Sequence, residues 1–222
     1  MTTSSSLHIE RAGSDAGPSV VASHGVGSDT TVWAGLVPVV GAQRKIIAWD
    51  QPGHGRSGAA AADAYGPSLA YASLCSVADQ EESVILLGHS LGGYLSCRYA
   101  IDFPRRVKAL ILVATGPGFR SPDAREKWNV DVRRGAEKQG RPETLVGLHE
   151  DSYVMDHLSD ISCPTLVMVG DGDAAFLGAT DYIERRVPGI ERITIADAGH
   201  MVPTTHGELV GAHINDFLLR RL

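Results

Sequence analysis

The pentad Gly88-His89-Ser90-Leu91-Gly92 sets one serine between two glycines at G-x-S-x-G spacing. It follows the apolar run Val84–Leu87 and precedes a helical pattern over Leu91–Phe103, the strand-to-helix setting in which a sharp turn pushes a hydroxyl into a cleft. The glycines leave room for neighbouring backbone, and the positive end of the following helix favours developing negative charge. A serine hydroxyl is a weak nucleophile at neutral pH and needs a base within hydrogen-bond reach. Imidazole suits that task because its ordinary pKa lies near neutrality. Of the nine histidines, His200 follows a short strand, Arg192–Ile195, and the turn Asp197-Ala198-Gly199. That order places it on a loop at a strand's carboxyl end. His206 competes but opens the C-terminal helix as a surface residue, and His89 is expected to pack beneath the serine turn. His8, His149, His157 and His213 have no context that points them at the cleft.

An imidazole acting as base needs a carboxylate to fix its tautomer. The chain order Ser…Asp…His puts that acid on the loop after the preceding strand. Asp171 and Asp173 both lie there, and either could instead close a turn by bonding its own backbone. Asp173 lies farther along the loop, beyond Gly172, and is the better placed to reach His200. Two backbone N–H groups should meet the oxyanion: that of Leu91, after the nucleophile, and that of Val26 in His24-Gly25-Val26-Gly27, the loop after an early strand.

These residues need a frame that brings several strand ends together. Ser19–Ser23, Lys45–Trp49, Val84–Gly88, Val107–Ala114 and Thr165–Gly170 are short runs rich in Val, Ile and Leu, suited to strands buried on both faces of a parallel sheet. Leu7–Arg11 reads as an antiparallel edge strand. Helical patterns cover Trp33–Val40, Gly66–Asp79, Leu91–Phe103, Ala179–Val187 and Glu208–Leu219. The alternation predicts an α/β fold: one mostly parallel sheet with helices on both faces, joined by right-handed crossovers. Its chemistry belongs beyond the carboxyl ends of the strands. The polar, Gly- and Pro-containing segment 116–160 breaks the alternation and is too long for a plain loop. It is expected to be a short inserted cap on a single domain, residues 1–222, with helices near Asp123–Arg134 and Arg141–His149.

Composition narrows the partners. The 222 residues are 43% hydrophobic and 21% charged, with a net charge of −6, which disfavours nucleic acid and anionic membrane. Cys75, Cys97 and Cys163 are odd in number and widely spaced, so neither a disulfide framework nor a zinc site is drawn from them. No metal-ligand cluster and no dinucleotide fingerprint is present, so no cofactor is expected. Met1–Ser6 lacks a leader pattern, no apolar run approaches membrane-spanning length, and Ala59–Ala62 is too short for a linker. The location that follows is cytoplasmic. Seven basic residues against four acidic ones in 116–141 read as a solvated face, or as arginines that hold a carboxylate-bearing substrate.

With these segments in hand the chain resembles the α/β-hydrolase superfamily, in its small cap-bearing serine esterase, lactonase and C–C hydrolase branch. The resemblance rests on His24-Gly25, Asp50-Gln-Pro-Gly-His-Gly-Arg-Ser57, Gly88–Gly93, Gly170-Asp-Gly-Asp173 and Ala198-Gly-His200, in that order. It implies Ser90 as nucleophile, His200 as base, Asp173 as acid from the last position of G-x-x-D, and Val26 and Leu91 as oxyanion donors. The Asp50–Ser57 turn is implied to be structural. A serine where dehalogenases and epoxide hydrolases of this fold carry aspartate implies acyl transfer to water on a small-molecule acyl substrate: an ester, lactone or thioester. Alternatives on the same residues are C–C bond hydrolysis, cofactor-free perhydrolysis, or a non-catalytic ligand-binding role. The chain departs from the pattern in a short cap, no proline after Asp173, and Thr205-His206-Gly207 where Glu-x-Pro is common.

Overall fold

The computed structural model describes residues 6–61 and 64–222. Met1–Ser5 and Ala62, read above for a leader and a linker, lie outside the described residues. Seven strands form one sheet: β1 Ile9–Gly13, β2 Ser19–Ser23, β3 Lys45–Trp49, β4 Val84–His89, β5 Val107–Val113, β6 Thr165–Gly170 and β7 Glu191–Ile195. Their spatial order is β1-β3-β2-β4-β5-β6-β7, with β1 antiparallel to β3 and every other neighbour parallel. The antiparallel edge lies two residues later than Leu7–Arg11.

The alternation of side chains along a strand builds a core on each face. Val21, Ile47, Leu86, Leu110, Leu112 and Val167 point to one side, where α2 (Pro67–Ala78) and α3 (Leu91–Asp102) cover them. Val20, Ile46, Ile85, Leu87, Ile111 and Met168 point to the other, against α1 (Val37–Gly41) and the C-terminal helix Gly207–Arg221. Full burial of each such side chain contributes about 1.5–3 kcal/mol.

The chain runs from β2 out to β3, then returns to place β4 on the other side of β2. That reversal opens a crevice at the carboxyl ends of β2 and β4, the position where such sheets bind ligands. The loop His24–Gly27 and Ser90 both emerge there.

The helices differ from expectation where glycine and proline act. Trp33–Val40 divides into a 3-10 turn, Thr30–Trp33, and α1, because Pro38 cannot donate within a continuous helix. In 116–160, α4 runs Pro122–Gln139, longer than expected, capped by the Ser121 hydroxyl and ended by Gly140 at φ 62°. The helix expected at Arg141–His149 is instead a 3-10 turn, Pro142–Gly147, since glycines bracket a segment too short for stable α turns. A four-residue α5, Tyr153–Asp156, follows. The helix expected at Ala179–Val187 is α6, Ala174–Arg186; Gly178 does not break it. A short α7, Val202–Thr205, precedes α8, Gly207–Arg221. No helix among the described residues is long and apolar enough to cross a membrane.

Candidate active site

Ser90 sits between β4 and α3 at φ 53°, ψ −118°, a left-handed geometry that costs an L-residue about 1–3 kcal/mol. Its surroundings hold it there. Ser90 N–H donates to Val113 O at 3.0 Å, and Ser90 O accepts from the N–H groups of Gly93 and Tyr94. The turn needs small neighbours: a Cβ on Gly92 would collide with the Ser23 carbonyl, and one on Gly25 would lie 2.9 Å from Ser90 Cβ. The loop after β2 therefore lies directly against the serine.

His200 lies on the loop after β7, and its Nδ1 is 2.8 Å from Asp173 Oδ2. An ionised carboxylate only accepts, so Nδ1 carries the proton and Nε2 keeps its lone pair. Phe176 stacks on the His200 ring at 4.6 Å. Asp173 is buried, whereas Asp171 is exposed and accepts the Ala198 N–H at 3.3 Å. One aspartate faces the imidazole, and the other ties the loop to the 197–199 turn.

His89 does more than pack beneath the serine. Its Nε2 donates to the His200 carbonyl at 2.9 Å, since a carbonyl can only accept. The residue beside the serine thereby fixes the backbone of a residue 111 positions away. The local sequence carries no signal for this bond.

The loop after β2 is held as firmly. His24 is fully buried; its Nε2 accepts the Gln51 N–H at 2.9 Å, so Nδ1 is the protonated nitrogen and donates to Gly25 O at 2.7 Å. Gln51 Nε2 also donates to His24 O. In a trans peptide the N–H lies opposite the C=O, so gripping Gly25 O fixes the direction of the Val26 N–H. Asp50 accepts from the N–H groups of Thr30 and Arg56, a structural use of the Asp50–Ser57 turn.

Beyond Ser90 lies a cavity of about 320 Å³, lined by Val26 and Leu91, the aromatic rings of Tyr94, Phe119, Trp128 and Phe176, and His149, among others. Residues of 116–160 supply one wall. Asn129 of α4 brackets His149, donating to its carbonyl at 2.8 Å and accepting its N–H at 2.9 Å. Trp128 Nε1 donates to Gly147 O. Among the described residues, no lysine, arginine, aspartate or glutamate lines the cavity. The five arginines of 116–141 are engaged elsewhere: Arg120 with Asp156, Arg133 with Glu126, Arg134 with Asp131, Arg141 with Glu143, and Arg125 with the Phe119 carbonyl. Of the two expectations for these charges, the partners seen here favour a solvated, internally paired face.

Burial lowers the pKa of His24, His89 and His149 to about 4. Each has a folded pKa below its unfolded value near 6.5, so the unfolded chain binds the proton first as pH falls. Their contribution to stability is complete above about pH 6.5 and is lost towards pH 4, at up to about 1.4 kcal/mol per pH unit for each histidine. The urea midpoint should therefore drop clearly between pH 7 and pH 5. A midpoint flat across that range would exclude three neutral buried imidazoles.

Residues 18–141, more than half the chain, match the family model described as the alpha/beta hydrolase fold. Among curated proteins, the pimeloyl-[acyl-carrier protein] methyl ester esterase of Aeromonas hydrophila is 37% identical over 123 residues, 55% of this chain and 46% of that one. The match thus spans about half that relative's length. The Vibrio parahaemolyticus protein of the same name is 27% identical across 96% of this chain and 98% of its own. Among solved structures, a thermophilic esterase from Thermogutta terrifontis superposes with a TM-score of 0.77 at 25% identity, covering 99% of this chain and 96% of that one. A matching sequence model, the 1-3-2-4-5-6-7 sheet and the serine turn at its switch point agree: the chain belongs to the alpha/beta hydrolase fold family.

Proposed function

We propose that this protein is a serine hydrolase that cleaves a carboxylic-ester-like bond in a small, uncharged acyl substrate through an acyl-enzyme. The observation that carries this reading is one constellation: Ser90 on a left-handed turn at the cavity wall, with the His200–Asp173 pair on the neighbouring strand-end loops. Among the described residues the Ser90 hydroxyl has no hydrogen bond to His200; such contacts commonly tighten only when substrate binds. Ser90 Oγ adds to the substrate carbonyl while His200 Nε2 takes its proton. The carbonyl oxygen becomes an oxyanion between the N–H groups of Val26 and Leu91. His200 then returns the proton to the departing alcohol oxygen as the C–O bond breaks. In the second half, water adds to the acyl-enzyme, giving its proton to His200, and Ser90 leaves with that proton restored. Asp173 holds the imidazole in the required tautomer throughout. The names of the relatives, methyl ester esterases and an esterase, favour an ester over the alternatives. Residues 116–160 act as the cap that sets acyl size.

The cavity's uncharged lining selects its substrate. A carboxylate on the acyl chain would lose its water without gaining a cation, a cost of several kcal/mol. A p-nitrophenyl ester screen over acyl chain length, run with wild type and Ser90→Ala, tests the reading. Short neutral acyl esters should exceed their carboxylate-ended counterparts by about 100-fold or more in kcat/KM, which corresponds to about 2.7 kcal/mol. Equal rates for neutral and anionic esters would refute this selectivity.

A further inference from the structure

Thr115 has no place in the chemistry just described, yet it lies in direct contact with the serine turn. β5 ends at Val113; Ala114 then takes φ 47°, a left-handed geometry unusual for alanine. Its N–H is held by Met168 O at 2.8 Å. This bend delivers Thr115, itself fully buried, beneath the end of β4. Its Oγ1 donates to Ser90 O at 2.6 Å, while the alternative acceptor, Gly116 O, is at 3.5 Å. The shorter bond wins on distance. A Cβ on Gly93 would press on Thr115, so the side chain has little freedom to turn elsewhere.

Ser90 O belongs to the same peptide unit as the Leu91 N–H. That unit is planar and trans, so its N–H points opposite to its C=O. The Leu91 N–H is also in the first turn of α3, where it has no partner within the helix. A hydrogen bond to the carbonyl aligns the unit and polarises it, making the N–H a better donor. We infer that Thr115 is a positioning residue: its hydroxyl aims and strengthens the Leu91 N–H towards the oxyanion. His24 does the equivalent for the Val26 N–H by gripping Gly25 O. Both donor peptides are thus held from behind by a buried side chain. The inference rests on the proposed hydrolase reading.

A role in the transition state separates from a role in packing. Thr115→Val keeps the shape and removes the O–H; Thr115→Ser keeps the O–H. Both are compared with wild type and Ser90→Ala on p-nitrophenyl butyrate and by titration with butylboronic acid, whose tetrahedral serine adduct places an oxygen among the oxyanion donors. Loss of a whole donor lowers kcat by about 100- to 1000-fold, so a weakened one should lower it by about tenfold. Thr115→Val should show that loss with KM within about twofold and weaken boronate binding about equally, and Thr115→Ser should restore both. Unchanged kcat and boronate affinity in Thr115→Val, with Ser90→Ala inactive, would overturn the inference and leave the hydrolase reading standing. A loss that Thr115→Ser does not rescue would also overturn it, as a packing effect. Equal activity in wild type and Ser90→Ala would remove both.

Discussion

Ser90→Ala should yield a folded protein whose kcat on neutral esters is lower by about 10³-fold or more. The substitution removes one oxygen and adds nothing, so the contact with Gly25 is not tightened. Alanine meets much the same backbone cost at φ 53° as serine does. The bonds from Ser90 N–H to Val113 and from Thr115 to Ser90 O involve backbone only on the Ser90 side. Stability should therefore change little while chemistry stops. Without Oγ there is no acyl-enzyme, and His200 has no proton to take in the first step. A fluorophosphonate should label wild type at Ser90 alone and leave the variant unlabelled. Full turnover by the purified variant would end the assignment of Ser90.

Asp173→Asn should lower kcat by about 10⁴-fold with KM nearly unchanged, by analogy with other triads. The 2.8 Å bond from His200 Nδ1 requires an acceptor. An asparagine can present its NH₂ to Nδ1, which favours the tautomer with the proton on Nε2. That nitrogen would then face Ser90 as a donor and could not act as base. Asp173 is buried, so water does not readily replace the lost acceptor. Asp171→Asn serves as the control: the Asp171 carboxylate accepts the Ala198 N–H, and its loss should cost about 1 kcal/mol of stability at most. The reverse pattern, an inactive Asp171→Asn beside a normal Asp173→Asn, would exchange the two roles.

The strands were readable because a sheet covered on both faces leaves unbroken apolar runs, as in Val84–Leu87 and Thr165–Gly170. Ser90 was readable because its turn demands glycine nearby, and His200 because it follows a strand by a short loop. What escaped the sequence lies in contacts between distant segments. The bond from His89 to His200 O and that from Thr115 to Ser90 O join strand ends whose neighbours in space are not neighbours in sequence. Thr115 also follows a left-handed alanine, for which residue type gives no signal. The role of the arginines of 116–141 was left open by composition, which counts charges without their partners. Asp156, outside the counted window, already pairs with Arg120.

The sheet order has a consequence for when the protein becomes competent. Ser90 and the proposed oxyanion donors, Val26 and Leu91, come from the chain before residue 116, whereas Asp173 and His200 come after residue 160. Strands β1 to β5 lie side by side in the sheet, and that first part carries the serine turn without His200 or Asp173. With β6 paired to β5 and β7 to β6, the His200 carbonyl lies against His89 and the imidazole is held in place. On the proposed roles, the hydroxyl lacks its base until His200 and Asp173 are in place. The same division means that a cut within 116–160 separates Ser90 from His200 and Asp173, and that two such fragments must reassociate across the β5–β6 seam to restore them to one another.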